Sequence, residues 1–445
     1  MIQIGINIAV KGTGVSGPPP APVNSSPPVI SGTTTLGSVL TTTNGTWTNS
    51  PSSFSYQWKR GVTNIGTNAN TYTLVVADSS AAITCVVTAT NAGGSTIGPS
   101  SNTITADNYT PVNTVAPVLF GSSLTVGDVT TTTNGTWTNS PSSFTYQWKR
   151  GVTNIGTNSN IYSVVQADAG QNITCVVTAT NAAGSGNATS NSLYVYDFNA
   201  YSFINTAVIT NSTEQTAIND LVIGLKSDSL WIPMIAIYPF VGGTSTSCKY
   251  NLKNTATFTL TFVGSWLPAS FTSFGIQPNG TDTYANTSFN PTAGWILGNS
   301  SISAYSRTNN VMTSGVIYGV RGGASSNNYP VLNVSSTNNF HNSGVANAPS
   351  PLPTSTACNF ISSRINTANV IMAINGTATS YASLEGTLPA VPIVLAARRN
   401  GVSLIDLWST RQLAFAHIGT GLTTVQCTQL YTRIQAFQTT LGRNV

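Results

Sequence analysis

Carboxyl side chains are the first candidates for chemistry in this sequence, because paired Asp and Glu residues can hydrolyse glycosidic bonds. That reaction needs two carboxyl groups facing each other across the scissile bond. Beyond Asp197 the acidic residues are Glu214, Asp220, Asp228, Asp282, Glu385 and Asp406. They form no E-x-D-x-x-E set, and the first three fit helix caps and a solvated face. We predict no catalytic residues, with hydrolysis by carboxylates that meet only in space as the alternative.

Histidine and cysteine offer little more for catalysis or metal binding. His341 and His417 are the two histidines, and no G-x-S-x-G motif accompanies them. His417 lies in the apolar run LAFAHIG, typical of a core or turn histidine, and His341 is expected in a loop. The five cysteines, at positions 85, 175, 248, 358 and 427, show no C-x-x-C spacing. The sequence thus predicts no metal, no cofactor and no disulfide framework.

Aromatic residues among amides and hydroxyls favour glycan recognition instead. A sugar can stack on an aromatic face while Asn, Arg or His side chains bond its hydroxyl groups. We expect binding on loops between Trp266 and His341, because long irregular segments in a compact domain are often functional. The candidate ligand-binding residues are Trp266, Trp295, Tyr305, Arg307, Asn309 and His341. For each Trp or Tyr, a place in the core is the alternative.

The composition excludes several classes of function. Only 6% of the 445 residues are charged, against about 25% in typical proteins. The formal charge of +5 is scattered, so no nucleic-acid footprint is present. No apolar run is long enough for a membrane span. The N-terminus lacks the basic region of a signal peptide, which suggests synthesis in a host cytoplasm.

A module is used twice in the first half of the chain. The stretch from Thr41 to Asn68 returns at Thr131 to Asn158 with a single substitution. In each copy an alternating run ends in Y-Q-W, with Trp58 or Trp148, and the run ITCVVTATN follows with Cys85 or Cys175. Alternation of this kind predicts strands with one face in a core. We therefore place both Trp and both Cys residues in structural cores.

These copies resemble bacterial and phage immunoglobulin-like (Ig-like) modules. The match rests on Trp47, YQW at 56–58, Gly61, Ile65, Tyr72, Asp78 and ITC-x-VTA-x-N. The resemblance implies two β-sandwiches in tandem. The strand before each Trp has no Cys, so the inter-sheet disulfide of antibody domains cannot form. We expect the copies to act as spacers, with weak glycan contacts as the alternative.

The N-terminus predicts an anchor. Ile2, Ile4, Ile6 and Ile8 alternate with polar or small residues, and a stiff Gly/Pro linker follows. A lone apolar strand on a tether suits docking on another protein's sheet edge; folding back onto the first Ig-like domain is the alternative. The glycines at 12, 14 and 17 match G-x-G-x-x-G, but Pro18–Pro20 forbid the helix that dinucleotide binding needs.

Two helices bracket the C-terminal part. The run from Thr213 to Lys226 has helical spacing, with Ser212 or Thr213 as the expected N-cap, and a second helix is predicted from Thr423 to Leu441. Between them, short runs with turn signals, such as ATFTLTFVG and VPIVLAARRNG, predict a sandwich.

This part also resembles the C-terminal domain of many tailed-phage structural proteins, which is similar to concanavalin-type, LamG-like jelly rolls. The stretches LWIPMIAIYPFVGG and YTRIQAFQTTLGR carry the likeness. The predicted fold is therefore all-β: two Ig-like sandwiches, then a jelly roll with flanking helices. The predicted segments are an anchor strand at 1–10, a linker at 11–23, Ig-like domains at 24–106 and 107–196, and the jelly roll at 197–445.

Together these features favour a non-enzymatic phage virion protein. It would form a fibre, a spike or a capsid decoration that attaches to host surface glycans, and other virion proteins would hold its N-terminal strand. A homo-oligomer, most simply a trimer, is expected by analogy with phage fibres. The alternatives are a secreted or cell-surface adhesin and a polysaccharide depolymerase.

Overall fold

We describe the protein from a computed structural model. The structure describes residues 17–107, 109–181, 183–308, 316–321, 328–334, 339–342, 348–350, 357–383, 385–401 and 404–445. The predicted anchor, with Ile2, Ile4, Ile6 and Ile8, and the first residues of the linker lie outside the described residues. The chain divides into two compact units. Unit 1 holds residues 1–120, 131–162 and 174–192, and unit 2 holds residues 121–130, 163–173 and 193–445.

The first Ig-like sandwich lies within unit 1. Its central strands, Ser53–Arg60 and Ala82–Asn91, pair antiparallel with Trp58 opposite Cys85. Both of these side chains are fully buried, against Ile30, Leu40 and Leu74. The strands are Asn24–Ser26, Ile30–Ser31, Val39–Thr42, Thr46–Trp47, Ser53–Arg60, Thr63–Ile65, Thr71–Thr73, Ala82–Asn91, Gly94–Ser100 and Ile104–Thr105, with a 3-10 turn at Val76–Asp78.

The second copy repeats this pattern. Trp148 and Cys175 are again fully buried, because the same alternation places them on the inner face. Its strands are Asn113–Val115, Leu124–Thr125, Val129–Thr131, Thr136–Trp137, Ser143–Arg150, Thr153–Ile155, Ile161–Ser163, Asn172–Asn181, Gly184–Thr189 and Leu193–Tyr196, with a 3-10 turn at Gln166–Asp168. Burial raises the thiol pKa of Cys85 and of Cys175 to about 11, so both thiols stay protonated at neutral pH.

The C-terminal sandwich of unit 2 has two sheets. Strand Leu413–Gly419 lies between Ser300–Ser306 and Met234–Tyr238 in the first sheet. In order, that sheet contains Phe271–Thr272, Gly275–Ile276, Leu413–Gly419, Ser300–Ser306, Cys358–Arg364, Asn369–Ile374 and Thr377–Ala382. The second contains Thr261–Val263, Tyr284–Asn286, Val394–Leu395, Val316–Arg321, Asn328–Val334, Asn339–Asn342 and Ala348–Ser350, with Arg398–Asn400 and Leu404–Asp406 beside it. The all-β prediction is confirmed.

The helices of unit 2 are α1 (Phe198–Thr206), α2 (Ser212–Ser227), α3 (Ser245–Cys248), α4 (Pro291–Gly294) and α5 (Thr424–Thr440), and a 3-10 turn spans Pro268–Ser270. Of these, α1, α2 and α5 cover the outer face of the first sheet. One apolar core joins α1, α2 and α5 to this sheet, and a second core fills the space between the two sheets. Among the described residues, no helix has the length and apolarity to cross a membrane.

The helix predictions need one correction. The predicted helix at 213–226 begins at Ser212, and its N-cap is Asn211, whose side chain accepts a hydrogen bond from the Glu214 amide. Neither Ser212 nor Thr213 caps it, because both lie inside the first turn. The C-terminal helix is capped by Thr423, whose hydroxyl accepts from the Gln426 amide.

Candidate functional site

The predicted ligand-binding residues do not form one site. Trp295 is 5% exposed and lies between the two sheets, where its Nε1 donates to the Gly419 carbonyl at 2.8 Å. Tyr305 is fully buried on the other face of the first sheet, against the helices. The expectation that these two rings contact a ligand is corrected, because neither has a free face.

The remaining candidates lie elsewhere. Arg307 donates to the Arg443 carbonyl and to Gln412 Oε1, and its guanidinium lies 4.4 Å from the Phe274 ring centroid. Asn309 lies outside the described residues. His341, expected in a loop, lies in a strand, because its backbone pairs opposite Leu332 and Ala348. Between Trp266 and His341, the described residues include strands of both sheets, among them Ser300–Ser306 and Val316–Arg321, where long loops were expected.

Trp266 does lie in an open groove of about 430 Å³. Its ring is half-buried and packs against two phenylalanines, with ring centroids 5.2 Å from Phe262 and 5.4 Å from Phe271. Its Nε1 donates to the carbonyls of Val263 and Tyr284. The ring is therefore held by its polar edge and offers only its apolar surface to the groove, which we call the Trp266 groove.

The other walls of the Trp266 groove come from two backbone turns. One is the segment Gly243–Thr244–Ser245 at the start of α3; the other is Gly264 with Leu267 and Pro268. Leu267 is 64% exposed. The Ser245 hydroxyl is exposed and has no hydrogen bond among the described residues. The sequence prediction missed Phe262 and Phe271, although the F-x-x-x-W-x-x-x-x-F spacing was visible; the Gly243–Ser245 wall is distant in sequence and gives no local signal.

No charged side chain lines the Trp266 groove. Asp282 accepts from the Ser265 amide and hydroxyl and from Asn279, and these hydrogen bonds lower its pKa. An uncharged groove with an aromatic floor, the free Ser245 hydroxyl and backbone groups suits a neutral, hydroxyl-rich ligand with one apolar face.

The one serine–histidine cluster that we find in the described part of the chain is buried. His417 lies between the hydroxyls of Ser301 and Ser303, all three at most 2% exposed. Burial lowers the pKa of His417 to about 3. The imidazole is therefore neutral and closed off from solvent, so the cluster satisfies polar groups in the core and has no access to a substrate.

Two further carboxylates are paired with arginines. Asp228 accepts two hydrogen bonds from Arg433, which lower its pKa, and Asp406 accepts two from Arg398. We find no cluster of three His, Cys, Asp or Glu side chains in the described ranges.

Comparison of the chain with protein-family models and with curated proteins gave no match. Among solved structures, it is similar to the I-band fragment I67–I69 from titin, at 18% identity, over 40% of this chain and 66% of that one, with a TM-score of 0.17. It is also similar to three N-terminal domains of the bacteriophage RB49 Highly Immunogenic Outer Capsid protein, at 16% identity, over 38% of this chain and 59% of that one, with a TM-score of 0.18. The chain thus spans less than two thirds of either.

A third similar structure is domain 4 of AbnA, an extracellular arabinanase from Geobacillus stearothermophilus, in complex with arabinotriose. The identity is 12% over 44% of this chain and 98% of that one, with a TM-score of 0.30.

Proposed function

We propose that this protein is a non-enzymatic structural component of a phage virion, whose C-terminal sandwich attaches to a neutral glycan of the host surface through the Trp266 groove. The observation that carries the proposal is the groove itself: a half-buried tryptophan among apolar rings, open to solvent and lined by no charged residue. A fibre, a spike or a capsid decoration would each use such a site.

The chemistry of the groove supports a sugar ligand. The C–H face of a pyranose is apolar and weakly positive, which complements the negative face of an aromatic ring. The rigid hold on the Trp266 indole through Val263 and Tyr284 lowers the entropy that binding would otherwise cost. The Ser245 hydroxyl and nearby backbone groups can bond sugar hydroxyls. Binding at one such groove should be weak, and several copies on a particle would strengthen it.

The hydrogen bonds and ion pairs of the carboxylates support a non-catalytic role. Asp228 and Asp406 are held by arginines, and Asp282 is held by Ser265 and Asn279. None of the three lines the Trp266 groove. A glycosidase would need two carboxyl groups on either side of the bound sugar.

The virion assignment rests on the sequence resemblance of the Ig-like copies and of the C-terminal region to phage modules. Within that assignment, residues 1–10 anchor the protein to other virion proteins, the Ig-like copies act as spacers, and the chain forms a homotrimer. Deleting residues 1–10 should leave a folded protein that no longer joins particles. Light scattering of the free protein should give a trimer; incorporation of the truncated protein at normal occupancy, or a monomer at micromolar concentration, would contradict these two points.

The full chain, coupled in many copies to beads, should bind neutral polysaccharides purified from the host surface. Ser245→Arg should abolish this binding, because a long side chain at the groove wall occupies the sugar's place. Thr246→Arg is the matched control, since it adds the same exposed charge on the same helix outside the groove lining. Trp266→Ala should also abolish binding, with Trp408→Ala, another half-buried tryptophan, as its control.

Two results would reject the proposal. One is that Ser245→Arg and Thr246→Arg bind host polysaccharide equally well. The other is that incubation of the full chain with the polysaccharide releases reducing sugar, which would indicate a depolymerase. Circular dichroism of each variant checks that lost binding is not lost folding.

A further inference from the structure

A second groove in unit 2 differs from the Trp266 groove in its charge. It has a volume of about 260 Å³ and lies between the first turn of α1 and the segment that follows Asn251. Its lining includes Phe198, Asn199, Ser202, Lys253, Asn254 and Thr255. We call it the Lys253 groove. Its size is slightly below the range of about 300–1,000 Å³ for drug-sized ligands, which suits one or two sugar units.

Lys253 brings an unneutralised positive charge to this groove. Its ammonium donates to the Trp231 carbonyl and lies 4.5 Å from the centroid of the Trp231 ring. No carboxylate pairs with it among the described residues. The neighbouring Lys226 lies 5.4 Å from the same ring centroid, but its ammonium is bound at 2.8 Å to both oxygens of Asp197 and to Asn199 Oδ1. The charges of Lys226 and Asp197 cancel, so the net charge beside the groove is the single positive charge of Lys253.

The environment of Lys253 favours an added anion. Partial burial, and then the charge of Lys226, lower the Lys253 pKa to about 8. Both causes disfavour an isolated ammonium. A bound carboxylate would reverse this, because an opposite charge in a partly desolvated site stabilises the charged form. Two of the three ammonium hydrogens remain for such a ligand after the bond to the Trp231 carbonyl.

The remaining lining resembles a sugar site more than a simple ion site. Phe198 is 63% exposed and offers an aromatic face at the rim. The side-chain hydroxyls of Ser202 and Thr255 have no hydrogen bond within the described ranges. The Asn254 side chain uses only its oxygen, which accepts from the Ala256 amide, so its NH₂ group is free. A ring face, an ammonium and several neutral donors can contact the apolar face, the acid group and the hydroxyls of one ligand.

We propose that the Lys253 groove binds an acidic saccharide through a salt bridge between the sugar carboxylate and Lys253. This goes beyond the neutral glycan assigned to the Trp266 groove: it is a second ligand class at a separate site. A single ammonium can also contact a phosphate, but the exposed Phe198 ring and the neutral donors beside Lys253 match the apolar face and the hydroxyls of a uronic or sialic acid.

The full chain should bind trigalacturonate or N-acetylneuraminate. Trigalacturonate should bind at least tenfold more tightly than its methyl ester, which has the same rings without the charges. Lys253→Met should reduce the affinity for the acid at least tenfold, because methionine keeps the packing on Trp231 but removes the charge. Lys249→Met is the matched control, since Lys249 also lies over an aromatic ring, 5.0 Å from the Tyr250 centroid, but does not line the groove. Calorimetry measures each affinity, and thermal unfolding checks each fold.

The pH dependence adds an independent readout. The charged groups around this ammonium are Lys226 and its partner Asp197. Affinity for trigalacturonate should be constant from pH 6 to 7.5 and fall above about pH 8, as free Lys253 loses its proton. The Lys253→Met protein should show no such fall.

The proposal fails if neither acid binds, if acid and ester bind equally, or if Lys253→Met and Lys249→Met behave alike. It also fails if inorganic phosphate or acetate competes as strongly as the sugar acid, since that would indicate a site for any small anion. Ser245→Arg should leave binding of the acid unchanged, so failure of the neutral-glycan proposal is distinguishable from failure of this one.

Discussion

The ammonium of Lys226 donates to both carboxylate oxygens of Asp197 at 2.8 Å, and this pair ties the last turn of α2 to the N-cap of α1. Asp197 is completely buried, and it also accepts from the Gln166 side chain and the Asn199 amide. The Asp197 carboxylate therefore connects three separate segments of unit 2.

Replacing Lys226 with Met should destabilise unit 2 by roughly 3 kcal/mol, because it leaves the Asp197 charge buried without a cation. The double variant Lys226→Met, Asp197→Asn should recover part of the loss, since it removes the stranded charge. Urea unfolding of both proteins measures the effect, with Lys249→Met as the control. Equal stability of Lys226→Met and the parent protein would show that Asp197 does not depend on this partner.

Trp58 and Trp148 should each be essential to their own Ig-like copy. Trp58 Nε1 donates to the Ala69 carbonyl at 2.9 Å, and Trp148 Nε1 to the Ser159 carbonyl at 2.7 Å. Each ring is fully buried and stacks on a tyrosine. Trp58→Ala or Trp148→Ala should cost about 3–5 kcal/mol, as for other large core residues.

Trp58→Phe should reduce the free energy of unfolding by less than Trp58→Ala does, because phenylalanine keeps most of the apolar volume. It still loses the hydrogen bond of the indole. Calorimetry of the full chain should show one transition shifted to lower temperature in either single variant. An unchanged melting profile for Trp58→Ala would contradict the placement of this ring in the core.

His417 should make the C-terminal sandwich sensitive to acid. Its pKa in the folded protein, about 3 because of burial, is below its ordinary value of 6.5. The unfolded chain therefore takes up a proton below about pH 6.5, while the folded protein does so only near pH 3. The resulting loss of unfolding free energy is about 1.4 kcal/mol for each pH unit below 6.5. Above pH 6.5 this contribution is fully present.

His417→Gln provides the comparison, because glutamine can bond Ser301 and Ser303 but does not titrate. Hydrogen exchange of strand Leu413–Gly419, followed from pH 7.5 to 4.5 after correction for intrinsic exchange rates, should show a flatter dependence in the variant. Parallel slopes in the two proteins would assign the acid sensitivity to other groups.

Local alternation was sufficient to predict the Ig-like cores. Trp58 and Cys85 follow the period of a strand with one buried face, and the structure places them opposite each other. The same reasoning fails for strand Ser300–Ser306, with the sequence SSISAYS, in which every residue is buried. That sheet has a core on each face, so both sets of side chains are enclosed and the contrast between polar and apolar positions disappears.

Prediction of the binding residues from the sequence is limited in a similar way. Composition drew attention to aromatic residues among amides, yet it gave no means to separate Trp266, at a groove, from Trp295, between the sheets. Both are single tryptophans in polar stretches, and only the tertiary structure determines which one retains an open face. The Lys253 groove also depends on a contact between α1 and a segment about fifty residues later, which no local pattern encodes.

Tyr305 and Arg307 provide the last test, because the sequence alone predicts that either substitution to Ala weakens glycan binding without unfolding the domain. In the structure the Tyr305 hydroxyl accepts from the Val445 amide at 2.9 Å and donates to Gln435 Oε1. Its ring is fully buried against α5. Tyr305→Ala should therefore destabilise the C-terminal sandwich by about 3–5 kcal/mol.

Arg307→Ala should cost less, because it removes the bonds to the Arg443 carbonyl and Gln412 from a half-exposed side chain. At a temperature low enough for both variants to stay folded, each should bind neutral glycan with the affinity of the parent protein. If either variant lost glycan binding but kept its full stability, these two residues would belong to the ligand site, and the Trp266 groove would not be that site.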